Sequence, residues 1–297
     1  MPAPGYQAVA GGNEIPRRAN RGNEAVLEAL AHPRFELVPI AGVVEQADLL
    51  PSGSTVTITS SPKRGNEHTL DVADQLLRLG LKPVPHIAAR SVADEAQLRR
   101  LLRRIGELGL DEVFVIGGDA PTPDGPYASA LDLLRDMDWI GHGLRRIGVA
   151  GYPEGHPLVD GKALRRSLLD KQRFATFLVT QITFDPQAIG RWLEEIRGEG
   201  VMMPAYIGIP GVVDSARLLR TSMKIGVGQS MRFLSKNMGL ATRLLRRGGY
   251  QPDELLDGLA PYFAQSKYRI AGMHLNTFNQ VASTEEWRMR KLHQGDI

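Results

Sequence analysis

Short runs of β-branched and other apolar residues alternate with longer amphipathic segments along most of the chain. The apolar runs predict eight strands, at residues 35–40, 55–59, 83–88, 112–116, 146–150, 177–181, 205–209 and 272–276. Segments between them repeat apolar residues every three or four positions, as in residues 69–79 and 94–108, which indicates helices. Asp185 followed by Pro186 is typical of a helix start, and residues 215–263 are predicted to hold several helices. This alternation favours βα units around a parallel sheet.

The spacing of the strands predicts how the sheet is arranged. The first seven strands start about 20–35 residues apart, which is near the size of one βα unit. Eight units predict an α/β fold, a single-domain (β/α)8 TIM barrel over residues 34–297. Residues 1–33 are predicted to form a partly flexible arm with a short helix at residues 24–31. A doubly wound dinucleotide-binding sheet is the alternative, but it needs a glycine-rich turn after the first strand, and none follows residues 35–40.

Composition narrows the classes of function. The 297 residues include no cysteine, which excludes disulfides, thiol nucleophiles and Cys-ligated metals. A net charge of +3 argues against a nucleic-acid partner. No apolar stretch approaches the ~20 residues of a membrane helix, and the N-terminus lacks the pattern of a secretion signal. The seven histidines show no metal-ligand spacing. We therefore expect a cytoplasmic enzyme without a metal or membrane partner.

Polar residues follow nearly every predicted strand, at the end where barrel enzymes build their sites. Glu36 lies within an apolar strand, where an unpaired carboxylate is costly. The other residues at strand ends are Thr59, Ser60, His86, Gly117, Gly118, Asp119, Tyr152, Glu154, His156, Gln181, residues 208–211 and residues 276–280. Their convergence on one mouth favours an enzyme.

Each of these residues also has a structural interpretation. Glu36 can be an exposed residue on a strand edge, and His86 a core histidine bonded to a carbonyl group. Residues 117–121 contain the usual turn residues and can form only a turn. Gln181 can simply satisfy a buried backbone group.

Taken together, a series of motifs resembles the 5,10-methylenetetrahydrofolate reductase family. The most specific is VAGYPEGHP at residues 149–157. The chain begins this series with FELVP at residues 35–39, similar to the family's Phe-Glu-x-x-Pro. The remaining motifs are VTIT at 56–59, PHI at 85–87, GDAP at 118–121, TQITFD at 180–185, PG at 210–211 and HLNTFN at 274–279. They occur in the family's order and cover about residues 35–280.

The resemblance implies a barrel that uses NADH or NADPH, through FAD, to reduce 5,10-methylenetetrahydrofolate to 5-methyltetrahydrofolate, a step of one-carbon metabolism and methionine biosynthesis. Glu36 would be the acid that opens the substrate ring, with its pKa raised by burial. Asp119 would stabilise the developing cation, and Gln181 would bind the pterin edge. Asn276 and Gln280 would complete the folate site. The cofactor would contact Thr59, Ser60, His86, Gly117, Gly118, Asp119, Tyr127, Ala128, Ser129, Ala150, Tyr152, His156 and Lys171.

Several positions depart from the family's pattern. Gly117 replaces an arginine, and the segment at residues 165–171 keeps only Lys171 of the residues that contact the flavin diphosphate. Asn276 replaces an aromatic residue. Gln280 replaces an arginine and cannot pair bidentately with a glutamate tail. We therefore expect loosely held FAD.

Three alternatives stay open: direct hydride transfer from the nicotinamide to the folate, a barrel methyltransferase acting on a folate one-carbon unit, and an inactive folate- or flavin-binding scaffold. Two acids kept at one mouth argue against the scaffold. A homo-oligomer is also left open.

Overall fold

Eight parallel strands close into a barrel in chain order in the computed structural model, which describes residues 14–61, 63–156, 159–214 and 250–295. The strands are β1 Arg34–Leu37, β2 Thr55–Ile58, β3 Lys82–Ala88, β4 Glu112–Ile116, β5 Arg146–Gly151, β6 Phe177–Thr180, β7 Ala205–Pro210 and β8 Ile270–Asn276. The predicted TIM barrel is confirmed, and each strand lies within three residues of its predicted bounds.

Helices cover the outside of the barrel. Those in the described residues are α1 Glu14–Ala31, α2 Val43–Ala47, α3 Gly65–Arg78, α4 Glu95–Glu107, α5 Ala130–Ile140, α6 Gly161–Lys171, α7 Pro186–Gly198, α8 Asp253–Phe263 and α9 Val281–Gly295. Asp185 caps α7 as predicted, since its carboxylate accepts a hydrogen bond from the Gln187 N–H. Helices predicted within residues 215–249 lie outside the described residues. No helix among the described residues is long and apolar enough to cross a membrane.

Helix α1 differs from the loose arm that the sequence predicted. It begins at Glu14, ten residues before the predicted short helix, and packs against α8 and α9. Val26 and Leu30 on its inner face are buried. Gly22 permits the close approach, because a Cβ there would lie 2.6 Å from the Ala260 carbonyl oxygen. The prediction of a loose arm is therefore wrong for residues 14–23, whereas the helix predicted at residues 24–31 is confirmed as the C-terminal part of α1. Residues 1–13 lie outside the described residues.

The barrel interior is filled at its N-terminal end. Arg34 at the start of β1 forms an ion pair with Glu112 at the start of β4, and Glu112 also pairs with Arg146 on β5. The Arg34 guanidinium lies over the rings of Phe177 and Tyr206, 4.8 and 5.0 Å from their centroids. We call Arg34, Glu112 and Arg146 the barrel plug. The barrel plug occupies the interior below the site at the C-terminal end.

Candidate active site

Three strands bring Glu36, His86 and His274 together inside the barrel. The Glu36 Oε2 atom, from β1, lies 3.0 Å from the His274 Nε2 atom of β8. The His86 Nε2 atom, from β3, lies 3.9 Å from the same oxygen. The two histidines are buried, and the Glu36 side chain is only 21% exposed. These contacts do not fit an exposed residue on a strand edge, and they form an acid–histidine cluster.

The pKa of Glu36 is lower than its ordinary value of 4.5. Burial acts to raise this pKa, as the sequence predicted, but the hydrogen bond from His274 and the electrostatic interactions with His274 and His86 together outweigh burial and lower it. The prediction of a raised pKa is therefore wrong. Residues 35–39 read alone do not show that β8, the last strand, closes beside β1 and supplies a donor.

His86 is held as a neutral base. Burial lowers its pKa to about 4; the nearby Glu36 charge raises it, whereas His274 and Arg34 lower it further. Its ring packs against Phe114 with 4.7 Å between centroids. The Nε2 atom is buried and has no hydrogen-bond partner among the described residues. His86 thus lies beside the candidate acid, and its contact with a cofactor stays a prediction.

Asp119 lies on the loop after β4, at the same barrel end as Glu36. Gly118 turns this loop with a φ of 92°, and Gly117 leaves open space where a side chain would be. The Arg90 guanidinium donates hydrogen bonds to the carbonyl oxygens of Ala120 (2.7 Å), Pro121 (2.7 Å) and Ala128 (3.1 Å). One side chain thus fastens the loop that presents the exposed Asp119 carboxylate.

Tyr152 and His156 form the rim after β5. Their rings meet edge to face, with 5.3 Å between centroids. Burial and the nearby Asp119 charge raise the pKa of Tyr152, so the Asp119 carboxylate lies close enough to Tyr152 to interact with it electrostatically.

Lys171 on α6 shares a narrow crevice with Ala150 and Tyr152. Burial lowers its pKa, and it has no carboxylate partner among the described residues. By contrast, Arg165 pairs with Glu199, and Arg166 pairs with Asp170. Lys171 is therefore better placed than either arginine to receive an anion.

Five predicted cofactor residues are engaged in local structure. The Tyr127 hydroxyl donates to Asp136 Oδ2 at 2.9 Å, and its ring is buried in the core. Ser129 caps α5 in a capping box with Asp132. The Ala128 carbonyl accepts from Arg90, and Ser60 Oγ lies 3.5 Å from Asn66 Oδ1. Thr59 is half-buried, and its N–H donates to the Leu37 carbonyl. The hydroxyls of Tyr127 and Ser129 are thus already hydrogen-bonded within the protein, and the contact of these residues with a cofactor stays a prediction.

The predicted substrate residues are spread around the mouth. The Gln181 Oε1 atom accepts from the Ile182 N–H at 3.0 Å, which matches its structural interpretation. Asn276 is buried, with Nδ2 3.4 Å from the Ile209 carbonyl oxygen. The Gln280 amide donates to Asp214 Oδ2 at 3.1 Å and accepts from the Asp214 N–H at 3.2 Å. In this arrangement none of the three amides is directed at the acid–histidine cluster.

Sequence reasoning missed three residues that organise the site: His274, Thr57 and Arg90. His274 stood within a recognised motif but received no role, and Thr57 Oγ1 lies 3.5 Å from its Nε2 atom. The pairing of β8 with β1 in a closed barrel is the signal that could have linked His274 to Glu36. Arg90 follows β3 directly, at the same barrel end.

Fold and site define an α/β barrel protein with a partly buried acid at its C-terminal mouth. A family model described as methylenetetrahydrofolate reductase matches residues 40–235. The chain belongs to the methylenetetrahydrofolate reductase family.

Relatives in three organisms agree with this assignment. The chain is 29% identical over 157 residues to methylenetetrahydrofolate reductase 2 of Saccharomyces cerevisiae, covering 48% of this chain and 25% of that protein. It is 26% identical over 158 residues to methylenetetrahydrofolate reductase 1 of Schizosaccharomyces pombe, covering 50% and 26%. It is 26% identical over 176 residues to methylenetetrahydrofolate reductase (NADH) 1 of Arabidopsis thaliana, covering 51% and 29%. The matches thus span about a quarter of these relatives' length.

Proposed function

We propose that the chain reduces 5,10-methylenetetrahydrofolate to 5-methyltetrahydrofolate with NADH or NADPH. The observation that carries this proposal is the partly buried Glu36 in its histidine cluster, at the same barrel mouth as Asp119. Family membership and the reductase names of the relatives support it.

Glu36 supplies the proton in this proposal. The five-membered ring of the substrate must open to an iminium ion before hydride arrives, and the departing nitrogen then needs a proton. The Glu36 O–H bond breaks as the new N–H bond forms. Folate lying over the mouth would further desolvate Glu36 and raise its pKa, which favours the protonated acid during turnover. Asp119, fixed on the loop fastened by Arg90, stabilises the iminium charge.

We propose FAD as the hydride carrier. When bound, FAD would take hydride from the nicotinamide and pass it to the folate. Lys171 fits the cofactor's diphosphate because its ammonium lacks a carboxylate partner among the described residues. Gly117 leaves room for a close approach at the end of β4, because nothing lies within 4 Å of the position where its Cβ would be.

Direct hydride transfer from the nicotinamide is the second candidate. Two observations favour it: Arg165 and Arg166 are already paired with acids, and the crevice beside Lys171 has room for about one water molecule. The absorption spectrum of the purified protein separates the two mechanisms. Yellow protein, as isolated or after addition of FAD, supports the flavin. Colourless protein that does not respond to FAD but stays active with NADH supports direct transfer.

Glu36→Gln tests the proposed reaction, because it keeps the shape and polarity of the side chain but removes the acid. Folate reduction should fall by about 10²–10⁴-fold. NADH oxidation by a quinone bypasses the folate and should persist if a flavin carries the hydride. Asp119→Asn should impair the folate step and also perturb the flavin. Glu45→Gln, at an exposed acid on α2, is the matched control.

Two results would contradict this proposal. Folded Glu36→Gln protein that retains full folate reduction, or that loses both activities equally, would show that Glu36 is not the acid. Methyl transfer without consumption of NADH would instead indicate the methyltransferase.

A further inference from the structure

We propose that His274 is the positioning residue of the acid: its Nε2–H holds the Oε2 atom of Glu36, so that Oε1 is left to deliver the proton. The inference rests on the proposed function, since it assigns how Glu36 performs its step. His274 comes from β8 and Glu36 from β1, so closure of the barrel assembles the pair.

The neighbours of His274 determine which atom carries its proton. The Thr57 hydroxyl donates to the Phe35 carbonyl oxygen at 3.2 Å, and therefore offers a lone pair to the His274 Nε2 atom at 3.5 Å. The second neighbour of Nε2 is the Glu36 Oε2 atom at 3.0 Å. Since both neighbours accept, Nε2 carries the hydrogen. His274 Nδ1 is buried without a partner among the described residues, so the bonds at Nε2 set the tautomer.

This arrangement is suited to an acid that must lose its proton. Before the transfer, Glu36 is neutral and carries its proton on Oε1, while Oε2 accepts from His274. The Oε1–H bond then breaks, the N–H bond of the substrate forms, and the negative charge remains on Glu36. The bond from His274 becomes charge-assisted at that moment and stabilises the carboxylate. Solvent returns the proton for the next turnover.

Other charged or titratable groups near Glu36 act differently. His86 approaches Glu36 Oε2 from β3, but at 3.9 Å it is too far for a hydrogen bond, and its low pKa keeps it neutral. Arg34, on β1, forms its ion pair with Glu112 in the barrel plug. Thr57, from β2, has its hydroxyl on the Phe35 carbonyl. His274 is thus the neighbour that directly bonds the carboxyl group.

Titration of Glu36 by infrared difference spectroscopy tests this role without any substrate. Its carboxyl band is assigned by its loss in Glu36→Gln. His274→Met removes the donor, and we expect the pKa of Glu36 to rise by about one to two units, the equivalent of one hydrogen bond to a charged group. His274→Gln has a similar volume and an amide donor, so it should restore most of the low pKa.

The pH profile of folate reduction gives a second readout. Because kcat/KM follows the protonated fraction of Glu36, its decline with rising pH should begin about one to two units higher in His274→Met. The limiting rate should fall about tenfold to a hundredfold, and His274→Gln should recover both. Met273→Ala, at the adjacent buried residue of β8, should not shift the pH at which kcat/KM declines.

The two readouts separate the possible failures. An unchanged Glu36 titration in folded His274→Met would overturn the role of His274. A shift of equal size in Met273→Ala would also overturn it, because distortion of β8 would then explain the effect. Wild-type protein without folate reduction would overturn the proposed function instead, while the spectroscopic result would still report on the Glu36–His274 bond.

Discussion

His86 links the chemistry of the site to the stability of the fold. Its pKa is about 4 in the folded protein, against 6.5 for an ordinary histidine. Between these values the unfolded chain binds a proton that the folded chain does not. His86 therefore destabilises the folded protein as the pH falls through this window, whereas well above pH 6.5, where the imidazole is neutral in both states, it contributes no pH dependence.

We expect His86→Gln to flatten the acid side of the stability profile. From pH 6.5 to 5 the wild-type free energy of unfolding should fall by about 2 kcal/mol through His86 alone, and the variant should lack this loss. Glu36 does not interfere, because its pKa lies below 4.5. Urea unfolding at several pH values measures the effect, with His32→Gln at an exposed histidine as control. Equal slopes in wild type and His86→Gln would contradict the buried neutral state.

Individual residues show where sequence reasoning reached its limit. Glu36 and Asp119 were selected as candidates because a polar residue within or after an apolar strand stands out. The direction of the Glu36 pKa shift was missed because it depends on His274, 238 residues away in sequence. Gln181 and Tyr127 are further examples, because both residue types are common in binding sites. In the structure the Gln181 side chain accepts a hydrogen bond from the Ile182 N–H, and the Tyr127 hydroxyl donates to Asp136. Only three-dimensional contacts separate these uses.

Helices and strands were predictable where a single hydrophobic periodicity dominated the segment. Strands β4 and β5 begin at the predicted residues, since their apolar runs are bounded by charged residues. Helix α1 was underestimated because its glycine, asparagine and proline content suggests irregular structure. Its length depends on tertiary packing, in particular the contact of Gly22 with α8 and the Arg288 bonds to the carbonyls of Leu30 and Ala31.

The Arg90 side chain makes three hydrogen bonds to the loop after β4, and its contribution to the order of this loop is testable. We expect Arg90→Met to speed amide hydrogen exchange in residues 117–128 by tenfold or more, because three hydrogen bonds from a charged donor are lost. Exchange followed by mass spectrometry on peptides of this loop measures the change. Arg100→Met, at an exposed arginine on α4, should leave the loop unchanged. Unaltered exchange in Arg90→Met would show that the backbone alone holds the loop.

At the scale of the whole molecule, the barrel was predictable because the strand spacing of βα units leaves few other closed arrangements. Closure of the barrel creates an interior with two chemically different ends, which the spacing of the strands in the sequence does not reveal. The N-terminal end is filled by the barrel plug, while the C-terminal end holds Glu36 and the two histidines. We therefore expect the charged residues at the N-terminal end to contribute to stability, whereas Glu36 and the two histidines at the mouth are the candidates for chemistry.

Two consecutive acids test this division. Glu112 pairs with the nearly buried Arg34, 5% exposed, whereas the preceding Asp111 pairs with Arg145, which is 81% exposed. Glu112→Gln leaves the Arg34 charge buried without its partner, and we expect the free energy of unfolding to fall by about 3–5 kcal/mol. Asp111→Asn removes a pair of the same chemistry in water and should cost at most about 1 kcal/mol. Urea unfolding of both variants decides the matter. If both variants lose the same small amount of free energy of unfolding, water reaches the barrel plug, and the N-terminal end of the barrel interior is not dry.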